Sequence, residues 1–358
     1  MRHSRRYINN MGHGLANLYS KRILIRVDGS HKIGLGHIYR MKTLALSLLK
    51  AGCEVAFISQ SDSTATQLLQ STGLKTYWLN SYFYNTVLQE AILDHQPNLI
   101  VQDILETDIK GMTELRGMTS AKIINFDDVG AGLIFADVVI NSIVFHWGGY
   151  KADESQARLF EGPQYMIMNP VIVNYASRSK KILKQAKRIL LAFGGTDTHF
   201  VMGRVLHIIN RLDASLSITI NLGPGSDSPF DLDKIIRDSP HQIRILRAVP
   251  NLFGEFFEAD LVICAGGIML YELAAMGIPS IAIPTEPHEI DNVTYWAEVG
   301  TTLGLSYEKK LDPLQVAEIV LGILPDCQRR VEMSSIGKRA IDAFGLDRVM
   351  NIIDEVLS

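Results

Sequence analysis

The sequence predicts an α/β protein with two lobes, each built on a parallel β-sheet that helices cover. Apolar segments of strand length alternate with segments of helix length, an order typical of doubly wound sheets. This alternation stops around residues 150–187 and then restarts. A chain of 358 residues, 47% of them hydrophobic, is also longer than one domain usually is, which favours two lobes. Because ligands of such sheets bind at the carboxyl ends of the strands, we expect the site in a cleft between the lobes.

The first lobe opens with an apolar strand at residues 22–28, a glycine-rich turn and a helix that ends at Gly52. Further strands are predicted at EVAFISQ, NLIVQD, AKIINFDD and ADVVINS, and helices at STATQLLQSTG and NTVLQEAILDHQ. Each strand ends in a polar residue, as expected where the edge of a parallel sheet meets a ligand.

The second lobe repeats this construction after an irregular stretch and the basic segment SRSKKILKQAK. Strands at RILLAFGGTD, SITINLG, IRILRAV, DLVICAGG and PSIAIPT alternate with helices, and further helices are predicted near 312–324, 326–343 and 347–357. The predicted divisions are a basic, disordered tail at 1–20, a Rossmann-like domain at 21–173 that carries the catalytic histidine, a nucleotide-binding Rossmann-like domain at 174–345, and a C-terminal helix at 346–358.

Composition and charge argue against several classes of function. A net charge of -3, from 35 basic and 38 acidic residues, gives no bulk reason to expect nucleic acid or an anionic membrane as partner. The three cysteines lack C-x-x-C spacing and are expected as buried thiols in the reducing cytosol. The first twenty residues lack the apolar stretch of a signal peptide, and no apolar run is long enough to span a bilayer. We therefore expect a cytoplasmic protein whose partner is a small molecule.

His37 is the strongest candidate for the chemistry. It stands at the start of the first helix, after a strand that ends at Asp28 and a loop with Gly34 and Gly36. Glycines let the backbone fit closely around a ligand, and a helix N-terminus favours negative charge. A neutral imidazole there could remove a proton from water or a hydroxyl, so His37 and Asp28 are the candidate catalytic residues. A tight turn with a helix-capping histidine explains the spacing equally well, and Arg40 could bind substrate or only pair with a carboxylate.

Two glycine pairs in the second lobe are candidate diphosphate-binding turns. Gly194 and Gly195 follow one strand, and Thr196 comes next, before Asp197, whose commoner role is to cap the following helix. Gly266 and Gly267 follow another strand.

The helix after this second pair begins at Ile268 and carries Glu272 on its second turn. A pyrophosphate at the helix N-terminus would leave a ribose near Glu272, whose carboxylate can accept hydrogen bonds from both hydroxyls. A glutamate on a solvated helix face is the alternative, which the apolar neighbours of Glu272 disfavour.

Polar residues at other strand ends are further candidates for binding substrate. His288 and Asn292 follow a strand of the second lobe, where ordinary loop polarity explains them nearly as well. Asp103, Asn141, Asp127 and Asp128, which follow strands of the first lobe, are weaker candidates. Adjacent residues on a strand point to opposite faces, so we do not expect Asp127 and Asp128 to share a metal. His146, Trp147 and Tyr150 could contact a sugar or simply pack between the lobes.

Neither a metal nor a cofactor is predicted. The ten histidines form no H-x-x-x-H or similar cluster. A dinucleotide fingerprint would need a third glycine where Tyr39 or Arg40 stands, which disfavours a nicotinamide or flavin.

Several of these motifs, in this order, resemble a known family. RVDGSHKIGLGHIYRMKTLA looks like the opening of the UDP-sugar hydrolases of pseudaminic acid biosynthesis and of the similar spore-coat polysaccharide protein SpsG. INFDD, ADVVINS, FEGPQYMIMNP, LAFGGTD, ADLVICAGGIMLYELAAMGIPSIAI and FGLDRV continue the likeness, so that it covers most of residues 22–350. The family belongs with the GT-B glycosyltransferases, and the second lobe resembles that of MurG.

The resemblance implies a GT-B fold, with two Rossmann-like lobes facing across a cleft and a terminal helix that packs back on the first lobe. It also implies a UDP site at the Gly194 and Gly266 turns, with Glu272 on the ribose. His37 would deprotonate a water that attacks the anomeric carbon with inversion, without a metal. The chain departs from the family at Ile268 and Met269, where a pair of small hydroxyl residues is usual, and at PHEIDN, where Asn-Gln is usual.

Three functions remain open from the sequence. The first is a hydrolase of a UDP-linked amino sugar, and the second is a glycosyltransferase in which His37 activates an acceptor hydroxyl. The third is a non-catalytic protein that binds a nucleotide sugar, which Ile268 and Met269 would favour. We expect a monomer or a weak oligomer in each case.

Overall fold

The computed structural model describes residues 15–29, 35–79, 84–144, 157–195, 197, 199–223, 232–247, 249 and 251–358. The chain divides into two compact units. The first unit consists of Met1–Ser30, His37–Asn169 and Phe344–Ser358, and the second of His31–Gly36 and Pro170–Ala343. Each unit contains one parallel sheet, so the α/β fold class is confirmed.

Within the described residues, the first unit has a seven-stranded sheet. Its strands are β1 (Arg22–Val27), β2 (Glu54–Gln60), β3 (Thr76–Leu79), β4 (Leu99–Asp103), β5 (Lys122–Phe126), β6 (Val138–Asn141) and β7 (Arg158–Glu161). Their order across the sheet is β3-β2-β1-β4-β5-β6-β7, and every pairing is parallel. The order reverses direction between β1 and β4, which is where ligands bind in doubly wound sheets.

Helices cover both faces of this sheet. They are α1 (Gly36–Lys50), α2 (Ser63–Gln70), α3 (Tyr84–His95), α4 (Ile109–Met118) and, at the C-terminus, α13 (Gly345–Val356). Short 3-10 helices lie at Ala131–Phe135 and Pro163–Tyr165. One apolar cluster joins α1, α13 and one face of the sheet, and another fills the opposite face. Val349 and Ile353 of α13 are fully buried in the first cluster, so the C-terminal helix is part of the first unit.

The predicted tail at 1–20 is wrong for residues 15–20. Leu18 is fully buried in the apolar cluster that contains α13, and its carbonyl accepts a hydrogen bond from the thiol of Cys53. The backbone N–H of Asn17 donates to Asp354 Oδ1 at 2.9 Å. The burial of Leu18, with Leu15 packed against the same cluster, is the reason, because it ties the segment to the core. Residues 1–14 lie outside the described part of the chain.

The second unit has a six-stranded sheet in the described residues. Its strands are β8 (Arg188–Ala192), β9 (Ser217–Leu222), β10 (Gln242–Arg247), β11 (Leu261–Ala265), β12 (Ser280–Ile283) and β13 (Thr302–Gly304), in the order β10-β9-β8-β11-β12-β13. All neighbours are parallel. Here the order reverses between β8 and β11, and each of these two strands is followed by one of the glycine pairs.

The helices of the second unit include several shorter than three turns. They are α5 (Ile172–Ala176), α6 (Val201–Ile209), α7 (Leu232–Arg237), α8 (Phe253–Glu258), α9 (Met269–Met276), α10 (Glu289–Val299), α11 (Pro313–Ile323) and α12 (Cys327–Ala340). In the described residues we find no helix with the length and apolar character needed to cross a bilayer.

Candidate functional site

His37 lies in the first turn of α1, and its ring pairs with a carboxylate of the sheet. Nδ1 is 2.6 Å from Asp103 Oδ1, at the end of the neighbouring strand β4. The register of β1 and β4 places Asp103 beside Val27, at the point where the chain leaves β1 for α1. The side chain of His37 is 20% exposed, whereas that of Asp103 is fully buried. The sheet therefore supplies a fixed carboxylate behind a partly accessible imidazole.

This contact determines which ring nitrogen is free to act as a base. A carboxylate only accepts hydrogen bonds, so Nδ1 of neutral His37 must carry the proton that it shares with Asp103. Arg40 Nη2 also lies 3.3 Å from Nδ1, but the carboxylate contact is much shorter and sets the tautomer. The lone pair of neutral His37 is then on Nε2, as in a His–Asp pair that performs general base catalysis.

Arg40 is buried and joins two carboxylates. Its Nε and Nη2 donate to the two oxygens of Asp103 at 2.9 and 2.6 Å, and its Nη1 donates to Asp127 Oδ2 and, at 3.0 Å, to Ser142 Oγ. The sequence predicts Arg40 and Asp103 as substrate contacts. In the structure both residues are buried, and their polar atoms contact each other, His37 and Asp127. Arg40 thus pairs with carboxylates, which is the alternative that the sequence left open for it.

The pKa of Asp103 follows from these contacts. Burial alone raises the pKa of a carboxyl group, but the Arg40 guanidinium and His37 outweigh it and lower the pKa of Asp103 to about 2. Asp103 is therefore an anion at neutral pH, in the state that accepts the proton of Nδ1.

Asp127 and Asp128 point to different partners. Asp127 Oδ1 accepts hydrogen bonds from the backbone N–H of Ser142 and Ile143 at 2.7 and 2.8 Å. Asp128 instead accepts from the backbone and hydroxyl of Thr107 at 2.9 and 2.5 Å. The two carboxylates do not converge, and because both residues lie beyond the end of β5, with Asp127 at a φ of +46°, the alternation of a strand is not the reason. Among the described residues, no group of three or more His, Cys, Asp or Glu side chains is arranged to hold a metal.

Asp28, the second predicted catalytic residue, is not brought to His37. Its Oδ2 is 2.6 Å from Arg26 Nη2, and its Oδ1 accepts from the backbone N–H of Gln60 at 2.8 Å. Asp28 therefore joins β1 to the end of β2. Asp103, rather than Asp28, is the carboxylate that contacts His37. The reason is the strand order, which puts β4 beside β1 on the side where α1 begins.

Two further predicted residues lie at the ends of secondary-structure elements. Asn141 is buried at the end of β6. Gly36 begins α1. Gly34, His146, Trp147 and Tyr150 lie outside the described residues.

The first glycine pair of the second unit forms a tight loop after β8. Gly194 has a φ of +82°, a left-handed conformation that favours glycine. A Cβ on Gly223, after β9, would lie 2.5 Å from the carbonyl oxygens of Gly194 and Gly195, so the two loops touch through their backbones. Asp197 accepts from the N–H of Val201 and Met202 and caps α6, while Thr196 lies outside the described residues.

The second glycine pair, after β11, is held by side chains of α10. Asn292 Nδ2 donates to the carbonyl of Gly266, and Asn292 Oδ1 accepts from Tyr271 at 2.8 Å. Glu289 Oε2 accepts from the N–H of Thr285 and Gly266 at 2.7 and 3.3 Å. The sequence predicts Asn292 as a ligand contact, but its amide is buried and committed to this turn. We therefore correct its role to that of a support for the turn.

The N-terminus of α9 follows this turn directly. No side chain in the described residues caps it, so its first N–H groups suit an anion. Ile268 and Met269 stand at this terminus, and Glu272 lies half-buried in the first turn of the helix. Burial raises the pKa of Glu272 to about 7. His288 is exposed just before α10.

The two glycines of this turn should respond differently to alanine. A Cβ on Gly266 would lie 2.6 Å from Val293 Cγ2 and 2.8 Å from Glu289 Cβ, whereas on Gly267 it would meet Glu289 Oε1 at 3.3 Å. We expect Gly266→Ala to cost about 1–3 kcal/mol of stability through overcrowding. Gly267→Ala should keep the melting temperature near that of the unmodified chain. Equal melting temperatures for the two variants would contradict this packing.

Comparisons with known proteins agree with the architecture. Residues 188–345 match the glycosyltransferase family 28 C-terminal domain. The chain is 25% identical over 335 residues to the spore coat polysaccharide biosynthesis protein SpsG of Bacillus subtilis, covering 93% of this chain and 97% of SpsG. It is 25% identical over 215 residues to UDP-N-acetylglucosamine--N-acetylmuramyl-(pentapeptide) pyrophosphoryl-undecaprenol N-acetylglucosamine transferase of Acetivibrio thermocellus, covering 58% of each chain.

Solved structures with the same fold are more distant in sequence. Acinetobacter baumannii MurG superposes with a TM-score of 0.69 at 15% identity, over 94% of this chain and 99% of MurG. S. aureus MnaA, solved with UDP, superposes with a TM-score of 0.62 at 13% identity, over 93% of this chain and 96% of MnaA. These likenesses confirm the GT-B fold that the sequence predicts.

Proposed function

Because the chain has the GT-B fold of the MurG-like superfamily and carries a glycosyltransferase family 28 C-terminal domain, we propose that it is a nucleotide-sugar hydrolase. It cleaves a UDP-linked amino sugar of the UDP-2,4-diacetamido-2,4,6-trideoxyhexose type into UDP and the free sugar. The reaction serves nonulosonic acid or surface polysaccharide biosynthesis, and the name of SpsG, a spore coat polysaccharide biosynthesis protein, supports the second of these roles. The pairing of His37 with buried Asp103 carries this proposal.

The His37 pair acts as a general base. Nε2 of neutral His37 takes a proton from water as the water oxygen attacks the anomeric carbon. The bond between that carbon and the diphosphate oxygen breaks, UDP leaves with the bonding electrons, and the sugar is released with inverted configuration. Asp103 keeps the proton on Nδ1 and stabilises the imidazolium that forms.

The second unit binds the UDP group in this proposal. The Gly194 and Gly266 turns follow the two strands at which its sheet order reverses, and α9 offers an uncapped N-terminus there. Ile268 and Met269 have no hydroxyl to donate, so backbone N–H groups hold the diphosphate. These groups also stabilise the negative charge that UDP gains as it leaves.

Glu272 is proposed to accept hydrogen bonds from both ribose hydroxyls in its ionised form. Because burial raises its pKa to about 7, affinity for the nucleotide should increase as pH rises through that value. UDP-N-acetylglucosamine is a suitable calorimetric probe, since its diphosphate does not titrate near pH 7. We expect Glu272→Gln to weaken binding about 10–100-fold at pH 8, as loss of charged hydrogen bonds predicts.

The control for this measurement is Glu298→Gln, an exposed glutamate on α10. It should bind as the unmodified chain does and keep the rise in affinity with pH, whereas Glu272→Gln should give a flat profile. A pH profile that Glu272→Gln leaves unchanged would remove Glu272 from the ribose site.

Release of UDP from a panel of UDP-amino sugars, with and without candidate acceptors, tests the proposed reaction. The proposal expects UDP and free sugar without any acceptor. Release that requires an acceptor would make the chain a glycosyltransferase in which His37 activates a hydroxyl, as the name of the Acetivibrio thermocellus relative would suggest. Tight binding without turnover, unchanged in His37→Ala, would indicate a binding protein.

A further inference from the structure

His37 is the accessible end of a buried chain of charged groups. Asp103, Arg40 and Asp127 follow one another behind it, and the side chains of all three are at most 1% exposed. We call these three residues the Arg40 cluster. With both carboxylates ionised, the cluster has a formal charge of -1. Protonation of His37 would bring the whole group to neutrality.

The far end of the cluster is fixed by the backbone. Asp127 receives N–H donors from Ser142 and Ile143, directly after β6, and also the hydroxyl of Ser142 at 2.9 Å. Asp127 itself has a φ of +46°, a left-handed conformation that is uncommon outside glycine. These contacts fix the Asp127 carboxylate in the orientation in which it accepts the hydrogen bond from Arg40.

Arg40, held by Asp127, in turn fixes the orientation of the Asp103 carboxylate. Its planar guanidinium holds both oxygens of Asp103, so the carboxylate cannot rotate away from His37. The distance of 2.6 Å between Asp103 Oδ1 and His37 Nδ1 then depends on Arg40, which in turn depends on Asp127.

We propose that Arg40 and Asp127 are positioning residues that set the orientation and the tautomer of His37 through Asp103. This inference rests on the proposed function only in giving His37 the role of base. Neither residue touches the substrate in this scheme.

Each variant removes a different part of this support. Asp127→Asn weakens the anchor of the Arg40 guanidinium, because the amide keeps one acceptor oxygen but loses the negative charge. Arg40→Lys keeps the charge but loses the two-point contact with Asp103 that selects the Nδ1–H tautomer.

Other charged groups at these strand ends have partners of their own. Asp28 pairs with Arg26 after β1. Asp128, after β5, is held by Thr107, Asn125 and the N–H of Gly130. In the part of the chain that the structure describes, Asp103 and Arg40 are the charged groups within hydrogen-bond distance of His37 Nδ1.

NMR spectroscopy of the neutral histidine side chains tests this inference without any substrate. The signals of His37 are assigned by their loss in His37→Gln. In the unmodified chain we expect His37 to carry its proton on Nδ1, with Nε2 non-protonated. Asp127→Asn should lower the population of the Nδ1–H tautomer of His37. The matched control is Asp128→Asn, which removes the adjacent carboxylate and should leave that population unchanged.

Equal losses of the Nδ1–H tautomer in Asp127→Asn and Asp128→Asn, or no loss in either, would overturn the inference. If Asp127→Asn does not fold, Arg40→Lys provides the test through a smaller Nδ1–H population, and an unchanged tautomer would overturn it. If the NMR results hold but His37→Gln still releases UDP at the full rate, the proposed function fails while the coupling stands.

Discussion

Replacing His37 with glutamine should lower kcat for UDP release by about 10²–10⁴-fold, the usual contribution of a general base. Glutamine is similar in size and polar but does not take up a proton at neutral pH. The affinity for UDP should stay within about twofold, because the nucleotide is bound by the second unit in our proposal. Single-turnover kinetics and calorimetry measure the two quantities separately.

The control for this experiment is His207→Gln, an exposed histidine on α6. It should release UDP at the rate of the unmodified chain. A His37→Gln variant with normal kcat would show that His37 is not the base. Equal losses of kcat and of UDP affinity would instead indicate general damage to the protein.

Replacing Arg40 with leucine should destabilise the first unit by about 3–5 kcal/mol at pH 7, because it leaves two buried carboxylates without their cation. Hydrogen exchange of peptides from β4 and β5 reports the local stability of this sheet. The control is Arg158→Leu, which removes an exposed ion pair with Glu355 and should cost less than about 1 kcal/mol.

The dependence of this loss on pH has a definite sign. In the unmodified chain the folded pKa of Asp103 is lowered to about 2. Its stabilising contribution is therefore complete above the unfolded pKa of about 3.9 and is lost as pH falls toward 2. In Arg40→Leu, burial without a cation raises the folded pKa, so stability decreases as pH rises above about 3.9. A pH profile parallel to that of the unmodified chain would contradict the paired burial of Arg40 and Asp103.

Most of the architecture could be predicted from the sequence because both sheets are made of strongly apolar strands. The strand predicted at 22–28 is β1, and the apolar run NLIVQD contains β4, which is fully buried. Shorter or less apolar elements gave no comparable signal. β7 (Arg158–Glu161) lies in a stretch predicted to be irregular, because its residues are mostly half-buried at the edge of the sheet. α4 contains two glycines and begins at a cap by Asp108.

Within the candidate site, the sequence pattern singles out His37 and the glycine turns as candidates but not the side chains that contact them. Asp103 is 66 residues from His37, and only the placement of β4 beside β1 brings them together. Because the sequence does not show which strands are neighbours, Asp28, which is close to His37 along the chain, is the carboxylate that the sequence predicts beside His37. The support of Gly266 by Glu289 and Asn292 likewise depends on how α10 packs, which no local pattern encodes.

In the proposed reaction, His37 activates a water that attacks the anomeric carbon of a UDP-linked sugar. Turnover in water enriched in ¹⁸O, without acceptor, tests this step through mass spectrometry of both products. We expect the heavy oxygen to enter the free sugar and UDP to stay unlabelled. Label in UDP would mean attack at phosphorus, and no product without an acceptor would mean that water is not the nucleophile; either result would contradict the hydrolase.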